Sequence, residues 1–166
     1  MSESLQNNHE ADSLLPATRV LRQFRVVFNA VKTHFRQVER EAGVGGAQVW
    51  ALSVIERSPG IGVTDLARAL DIHQSTASNL IKSLTERGLV AARREGADRR
   101  SVALRVLPPG QDVLRVAPGP FAGVLPDALA SLDPATLARL EQDLAVLIKA
   151  LHADETAGNV PLAAQL

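Results

Sequence analysis

The sequence predicts a mainly α-helical fold carrying one small antiparallel β hairpin, and three observations predict it. Apolar residues recur at steps of three and four over long stretches. Two short helical patterns meet at a tight junction just before residue 74, and a period-two strand pattern follows an arginine-rich loop near residue 100. With 166 residues and 46% hydrophobic content, the chain can close a core without disulfides or metal.

Composition removes several function classes. There is no cysteine, which excludes disulfide frameworks, thiolate zinc sites, cysteine nucleophiles and thiol redox sensing. His9, His34, His73 and His152 fall in a tail, a helix stripe, a turn and a helix end, with no metal-ligand spacing. No Gly-rich phosphate loop and no supported Ser/His/Asp arrangement is present, so no enzymatic activity, cofactor or metal is expected. The start MSESLQNNHEADSLLPA has acids where a signal peptide needs bases, and no stretch has the length of a membrane span. A cytoplasmic protein without a membrane partner is expected.

Formal net charge is zero, but the charges are segregated. Residues 61–107 hold eight Lys/Arg against five Asp/Glu, whereas 108–166 hold three against seven. Such asymmetry fits a polyanion-reading module joined to one that does not read it.

In chain order, residues 1–13 are polar and aperiodic and predict a disordered tail. From residue 14 to about 41, Val20, Leu21, Phe24, Val27, Phe28, Val31, Phe35 and Val38 define a long amphipathic helix, which Gly43, Gly45 and Gly46 break. A second helix spans 48–57 with Val49, Trp50, Leu52, Val54 and Ile55, and Ser58-Pro59-Gly60 closes it. Residues 61–63 suit at most a short edge strand. Thr64 is the expected N-cap of a short helix over 65–70, its hydroxyl available to an orphan backbone N–H or to a phosphate.

After the turn Asp71-Ile72-His73, a helix over 74–87 places Ala77, Leu80, Ile81 and Leu84 on one narrow stripe, and Gly88 ends it. Its opposite face carries Gln74, Ser75, Thr76, Ser78, Asn79 and Lys82, with no acid before Glu86. Strands are expected over 89–92 and 101–107, the second alternating Val102, Leu104 and Val106 against Ser101, Ala103 and Arg105. The loop between them, Arg93-Arg94-Glu95-Gly96-Ala97-Asp98-Arg99-Arg100, makes the hairpin a basic wing.

A helical pattern resumes after Pro108-Pro109-Gly110, and Pro118-Gly119-Pro120 and Pro126 are expected to stop or kink it. Asp133-Pro134 predicts an N-cap with Pro at the first helical position. Leu137, Leu140, Leu144, Leu147 and Leu151, backed by Ile148, then form a heptad-like seam. That seam can serve this chain's own core or a second copy. From residue 153 a flexible tail is expected. The resulting division is a lobe over 43–107, a helical dimerisation region from 14–42 and 108–152, and tails at 1–13 and 153–166.

The chemistry of the lobe points to double-stranded DNA. An α-helix fits the major groove, and short polar groups at its N-terminal end let the backbone approach the base edges. Gln74, Ser75, Thr76, Ser78 and Asn79 supply those groups, and Lys82 supplies a cation for phosphate. Arg94, Arg99 and Arg100 suit the wing, where arginine gains from the negative potential of a narrow minor groove. Asp98 suits holding a neighbouring guanidinium by a bidentate contact. Together these make a winged helix-turn-helix with N- and C-terminal dimerisation helices. A winged helix serving protein interaction without ligand sensing is the competing class, and it predicts an apolar face where 75–82 is polar.

The order TDLARAL, DIHQSTASNLIKSLTERGLV, a wing containing ADRR, and a strand leading into PPG resembles the MarR family of bacterial transcriptional regulators. The resemblance spans about 14–151 and is most specific over 63–110. It implies a homodimer with interlaced terminal helices, whose two lobes read a pseudo-palindromic operator as a repressor, with half-sites about one helical turn apart. It also implies release by a small aromatic or phenolic anion bound between the dimer helices and the lobe. His34 and Trp50 are the pocket candidates on that basis, although a single Trp on a helical stripe is usually core and a lone His usually structural or exposed. Three positions depart from the family pattern. Leu107 replaces the Thr expected before PPG, His73 stands where a better N-cap is usual, and Pro118-Gly119-Pro120 interrupts a helix expected to be continuous.

Overall fold

A computed structural model describes residues 15–94 and 102–165 of the chain, with Arg94 described by its backbone alone. The expected tail at 1–13 and the wing tip with Asp98, Arg99 and Arg100 lie outside the described residues. Among the described residues there are seven α-helices and one two-stranded antiparallel sheet. In order they are α1 (Pro16–Ala42), α2 (Gly46–Arg57), α3 (Val63–Ala69), α4 (Gln74–Glu86), β1 (Val90–Arg94), β2 (Val102–Val106), α5 (Pro108–Val116), α6 (Val124–Ala130) and α7 (Pro134–Ala150). Two 3-10 turns follow, Glu155–Asn159 and Leu162–Ala164. No helix among the described residues is long and apolar enough to cross a membrane.

The core lies in the middle of the chain. Helix α2 is its hub, because Val49, Ala51, Leu52, Val54 and Ile55 are buried around most of its circumference. Leu66 from α3, Leu70 at its C-cap, Leu84 from α4, and Val90 and Leu104 from the hairpin close around it. Each fully buried aliphatic side chain contributes on the order of 1.5–3 kcal/mol.

Helix α1 is divided along its length. Its 27 residues, about 40 Å at 1.5 Å per residue, bury Val31, His34, Phe35 and Val38, while no residue from Leu15 to Ala30 is buried. Phe28 stays 55% exposed, with Phe24 stacked on it at 6.2 Å between ring centroids. Helix α7 buries nothing, and its Leu147 and Ile148 are each 37% exposed. Leu140 and Leu144 are half-buried while Leu137, Leu147 and Leu151 are exposed, so the single chain leaves most of the leucine seam uncovered.

Strand β1 pairs antiparallel with β2 in the register Val90 with Val106 and Arg94 with Val102. The pairing reaches Arg93 and Arg94, beyond the expected end of the first strand. Residues 60 and 61 join the other edge of β2: the Gly60 N–H donates to the Leu104 carbonyl at 2.8 Å, and the Leu104 N–H donates to Ile61 at 3.0 Å. The anticipated edge strand is thus reduced to one bonded pair.

The cap expected of Thr64 is corrected. Gly62 takes the N-cap position with extended backbone, its carbonyl accepts the Leu66 N–H at 2.9 Å, and Thr64 becomes the second residue of α3 with an exposed side chain. A serine or threonine caps a helix only from the non-helical residue that precedes it, and Thr64 stands inside. Pro126 neither stops nor kinks a helix. It is the third residue of α6, where its missing N–H is among those left without an intrahelical partner.

Other junctions follow the sequence. Helix α5 ends at Val116, ahead of Pro118-Gly119-Pro120, whose Gly119–Pro120 peptide is cis. Leu107 caps α5 with no side-chain hydrogen bond, but Pro108 and Pro109 open the helix, so two of the four usual orphan donors do not exist. Asp133 caps α7 by accepting the Thr136 N–H at 3.0 Å, and the Thr136 hydroxyl and N–H together hold its carboxyl below the usual carboxylate range. Where the sequence predicts a flexible tail from residue 153, the chain folds back. The two 3-10 turns flank a buried Pro161.

Candidate nucleic-acid interface

Helix α4 presents two unlike faces. Ala77, Ile81 and Leu84 are buried and Leu80 is half-buried, while Gln74, Ser75, Ser78, Asn79 and Lys82 are exposed and Thr76 is half-buried. All six residues predicted to read DNA thus lie off the buried stripe, and four of the five polar ones are fully open to solvent. Ser78 donates to the carbonyl of Gln74 at 2.9 Å, and Lys82 lies 4.0 Å from Glu86. Both groups of that ion pair are exposed, so it binds Lys82 only weakly.

The start of α4 is better made than the sequence suggests. His73 is its N-cap, with Nδ1 accepting the backbone N–H of Ser75 at 3.2 Å and the Ser75 hydroxyl at 2.7 Å. A histidine at this position caps when a ring nitrogen carries a free lone pair, as Asp or Ser does with oxygen. Replacing His73 by Ala removes the acceptor, and the expected loss is about 1 kcal/mol of stability. Chemical denaturation of the two proteins measures it, and equal midpoints would show that the cap contributes nothing.

The far end of α4 is tied down by groups that sequence reasoning missed. Gln48 donates to the Ser83 hydroxyl at 2.7 Å and accepts the Gly45 N–H at 3.2 Å. Arg87, the C-cap of α4, donates to the Gly43 carbonyl at 2.8 Å. These bonds fasten the helix to the corner between α1 and α2. Nothing in the local pattern signals them, since the partners are 35 and 44 residues apart.

The wing supplies the second part of the surface. Arg93 is exposed on β1, and the strand carries on to Arg94 at the edge of the described residues. The expected contacts Asp98, Arg99 and Arg100 lie outside the described residues.

The two pocket candidates part company. His34 is buried, its Nε2–H donates to the Pro120 carbonyl at 3.0 Å, and its ring meets Phe35 edge-on at 5.3 Å. It ties α1 to the loop after α5 and lines neither of the cavities beside Trp50. Trp50 lines both. One is a cleft of about 220 Å³ among Val31, Phe35, Leu70, Ile72, Leu129 and Pro161. The other, about 510 Å³, has Ser53, Glu56, Arg57, Leu114 and Phe121 in its wall. No cluster of three metal-ligating side chains occurs among the described residues.

Comparison with known proteins agrees with this geometry. Residues 42–101 match a family model described as the MarR family. A curated Thauera aromatica protein described as a transcriptional regulatory protein for the hcr operon is 31% identical over 85 residues. That match covers 51% of this chain and 51% of the relative, so the chain spans about half the length of that protein. A solved complex of Staphylococcus aureus MepR with DNA superposes with a TM-score of 0.54 at 16% identity, covering 83% of this chain and 99% of that one. Bordetella bronchiseptica BpsR, described as regulated in its DNA binding by 6-hydroxynicotinic acid, superposes with a TM-score of 0.51 at 24% identity, covering 78% and 98%. At such identities the structural likeness speaks for the fold alone. Over residues 42–101 the chain is thus similar to the MarR family.

Proposed function

We propose that this protein is a homodimeric, sequence-specific DNA-binding repressor that reads a pseudo-palindromic operator and is released by a small aromatic or phenolic anion. The observation that carries the DNA-binding part is the face of α4. It is polar and acid-free until Glu86, stands opposite the buried stripe, and is followed by a hairpin that ends in arginines. Gln74, Ser75, Thr76, Ser78 and Asn79 contact base edges, Lys82 contacts phosphate, and Arg94, Arg99 and Arg100 grip the minor groove with Asp98 orienting a guanidinium. Thr64, exposed in the first turn of α3, is a further phosphate contact. The polarity of the same face argues against a protein-binding winged helix.

Fluorescence anisotropy on the DNA flanking the protein's own gene tests this. Lys82→Ala and Arg100→Ala should each weaken binding and lower the slope of log affinity against log salt by about 1. Asn79→Ala should cost about 1–3 kcal/mol and relax the preference for one base pair. Unchanged affinity in all three variants overturns the reading.

The ligand part is supported by the 510 Å³ cavity, whose wall includes one cationic residue, Arg57, together with the aromatic residues Trp50 and Phe121. A carboxylate or phenolate suits the first and an aromatic ring the second. Arg57 Nε–H donates to the Ser53 carbonyl at 3.2 Å, which fixes where the cation points. Salicylate is a suitable probe: it should raise the melting temperature and lower operator affinity together, and Arg57→Ala should abolish both effects. A broad screen of aromatic acids in which no compound couples the two removes ligand release from the proposal.

A further inference from the structure

We infer that residues 155–165 form a strap that positions the DNA-reading end of α4. The strap lies across the 220 Å³ cleft between α1, α6 and the turn ahead of α4. Gly158, Val160, Pro161, Leu162 and Ala163 form its wall opposite Phe35, Trp50 and Ile72. Pro161 is buried, Val160 and Ala163 are half-buried, and a Cβ placed on Gly46 would stand 3.2 Å from Ala163 Cβ.

The strap has its own internal fastenings. Asp154 accepts the Thr156 N–H at 2.9 Å and the Thr156 hydroxyl at 2.7 Å, which starts the first 3-10 turn and lowers the Asp154 pKa. Gln165 closes the segment by donating to the carbonyls of Val160 at 3.0 Å and Ala157 at 3.3 Å. A merely trailing chain has no such cap and clip.

Its contact with the reader is a single backbone bond in a sensitive place. The His73 N–H donates to the Asn159 carbonyl at 3.1 Å. His73 is the N-cap of α4, and the turn before it holds Asp71 at a φ of 50°, a left-handed conformation that most side chains avoid and Asp adopts more readily than most. The strap therefore braces a tight left-handed turn from outside, and Gln74 and Ser75 follow directly. Without it the turn relaxes and the first turn of α4 frays, so its ordering is charged to DNA binding.

This rests on the DNA-reading role of α4 for its consequence, but not for the seating of the strap. The test compares the full chain with a chain ended at Ala153 and with Pro161→Asp, using hydrogen exchange and operator binding. In both variants the amides of residues 71–77 should exchange about tenfold faster or more, while those of Leu52 and Leu104 in the core keep their protection. Operator affinity should fall about tenfold, and a peptide of residues 154–166 added to the shortened chain should restore part of both.

Unchanged exchange at 71–77 in the two variants overturns the seating. Faster exchange with unchanged operator affinity overturns the positioning role. If the shortened chain does not fold, Pro161→Asp decides alone, since it keeps every residue of the strap and removes only its anchor. Should the full chain bind no DNA at all, the regulator reading fails, and the exchange data still stand or fall for the strap.

Discussion

A Leu147→Asp chain is expected to sediment as a monomer and to bind operator DNA about 10²–10⁴-fold more weakly than the parent. The reasoning starts from what the single chain leaves uncovered. Helix α7 buries no residue, and the first half of α1 leaves Val20, Leu21, Val27 and Phe28 exposed. Two apolar faces of that size on one small protein call for a partner, and a second copy supplies both at once. A carboxylate placed in the seam must be desolvated without a partner, which costs several kcal/mol per copy and so is counted twice in a symmetric dimer.

The DNA consequence follows from geometry. In the proposed dimer two lobes would bind two half-sites, the second engagement being intramolecular, so a monomer would forfeit the effective concentration the first engagement provides. Phe28→Asp should act alike from the α1 side. Both residues are exposed in the single chain, so the lobe should keep its helical circular dichroism. A dimer that persists in both variants at micromolar concentration would refute the assignment of these faces.

Gly110→Ala is expected to destabilise the protein by about 1–3 kcal/mol, with melting lowered by roughly 2–12 °C. The sign is informative, because Ala is favoured over Gly inside an open helix by about 1 kcal/mol. Gly110 is the third residue of α5 and is buried. A Cβ there would collide with the carbonyl of Leu89, come within 2.7 Å of Val106 Cγ1, and lie 3.3 Å from Leu52 Cδ2. The Leu89 carbonyl cannot retreat freely, since it accepts the Leu107 N–H at 2.9 Å at the base of the wing. Strain would thus reach the hairpin, the hub helix and the start of α5 together. Stabilisation on thermal melting would show that the backbone has slack at this crossing.

How far the molecule was legible beforehand depended on how local each signal is. The lobe could be read from i, i+3, i+4 spacing and turn residues, because Ala77, Leu80, Ile81 and Leu84 define a buried stripe by periodicity alone. The polar face of α4 follows from the same periodicity. Helix starts were less secure. Thr64 and Gly62 are two residues apart, and only backbone geometry decides which of them precedes the helix. His73 looks like a poor cap until its ring is seen turned toward the Ser75 N–H.

The mainly α class, the place of the helix-turn-helix and hairpin, and the small polar face of α4, free of acids before Glu86, were legible along the chain alone. All of these rest on residues within a few positions of one another, where covalent geometry and propensity set the outcome. Packing in three dimensions settled the rest: the leucine seam stays mostly uncovered, His34 anchors a loop while Trp50 lines two cavities, and Gln48, Ser83 and Arg87 lock α4 to the α1–α2 corner. It alone brought residues 155–165 back to the turn before α4. Those contacts join positions tens of residues apart, and no local spacing encodes which distant partner will fill a gap. The packed core selects it, by the shape and the unsatisfied polar groups that remain once the helices have met.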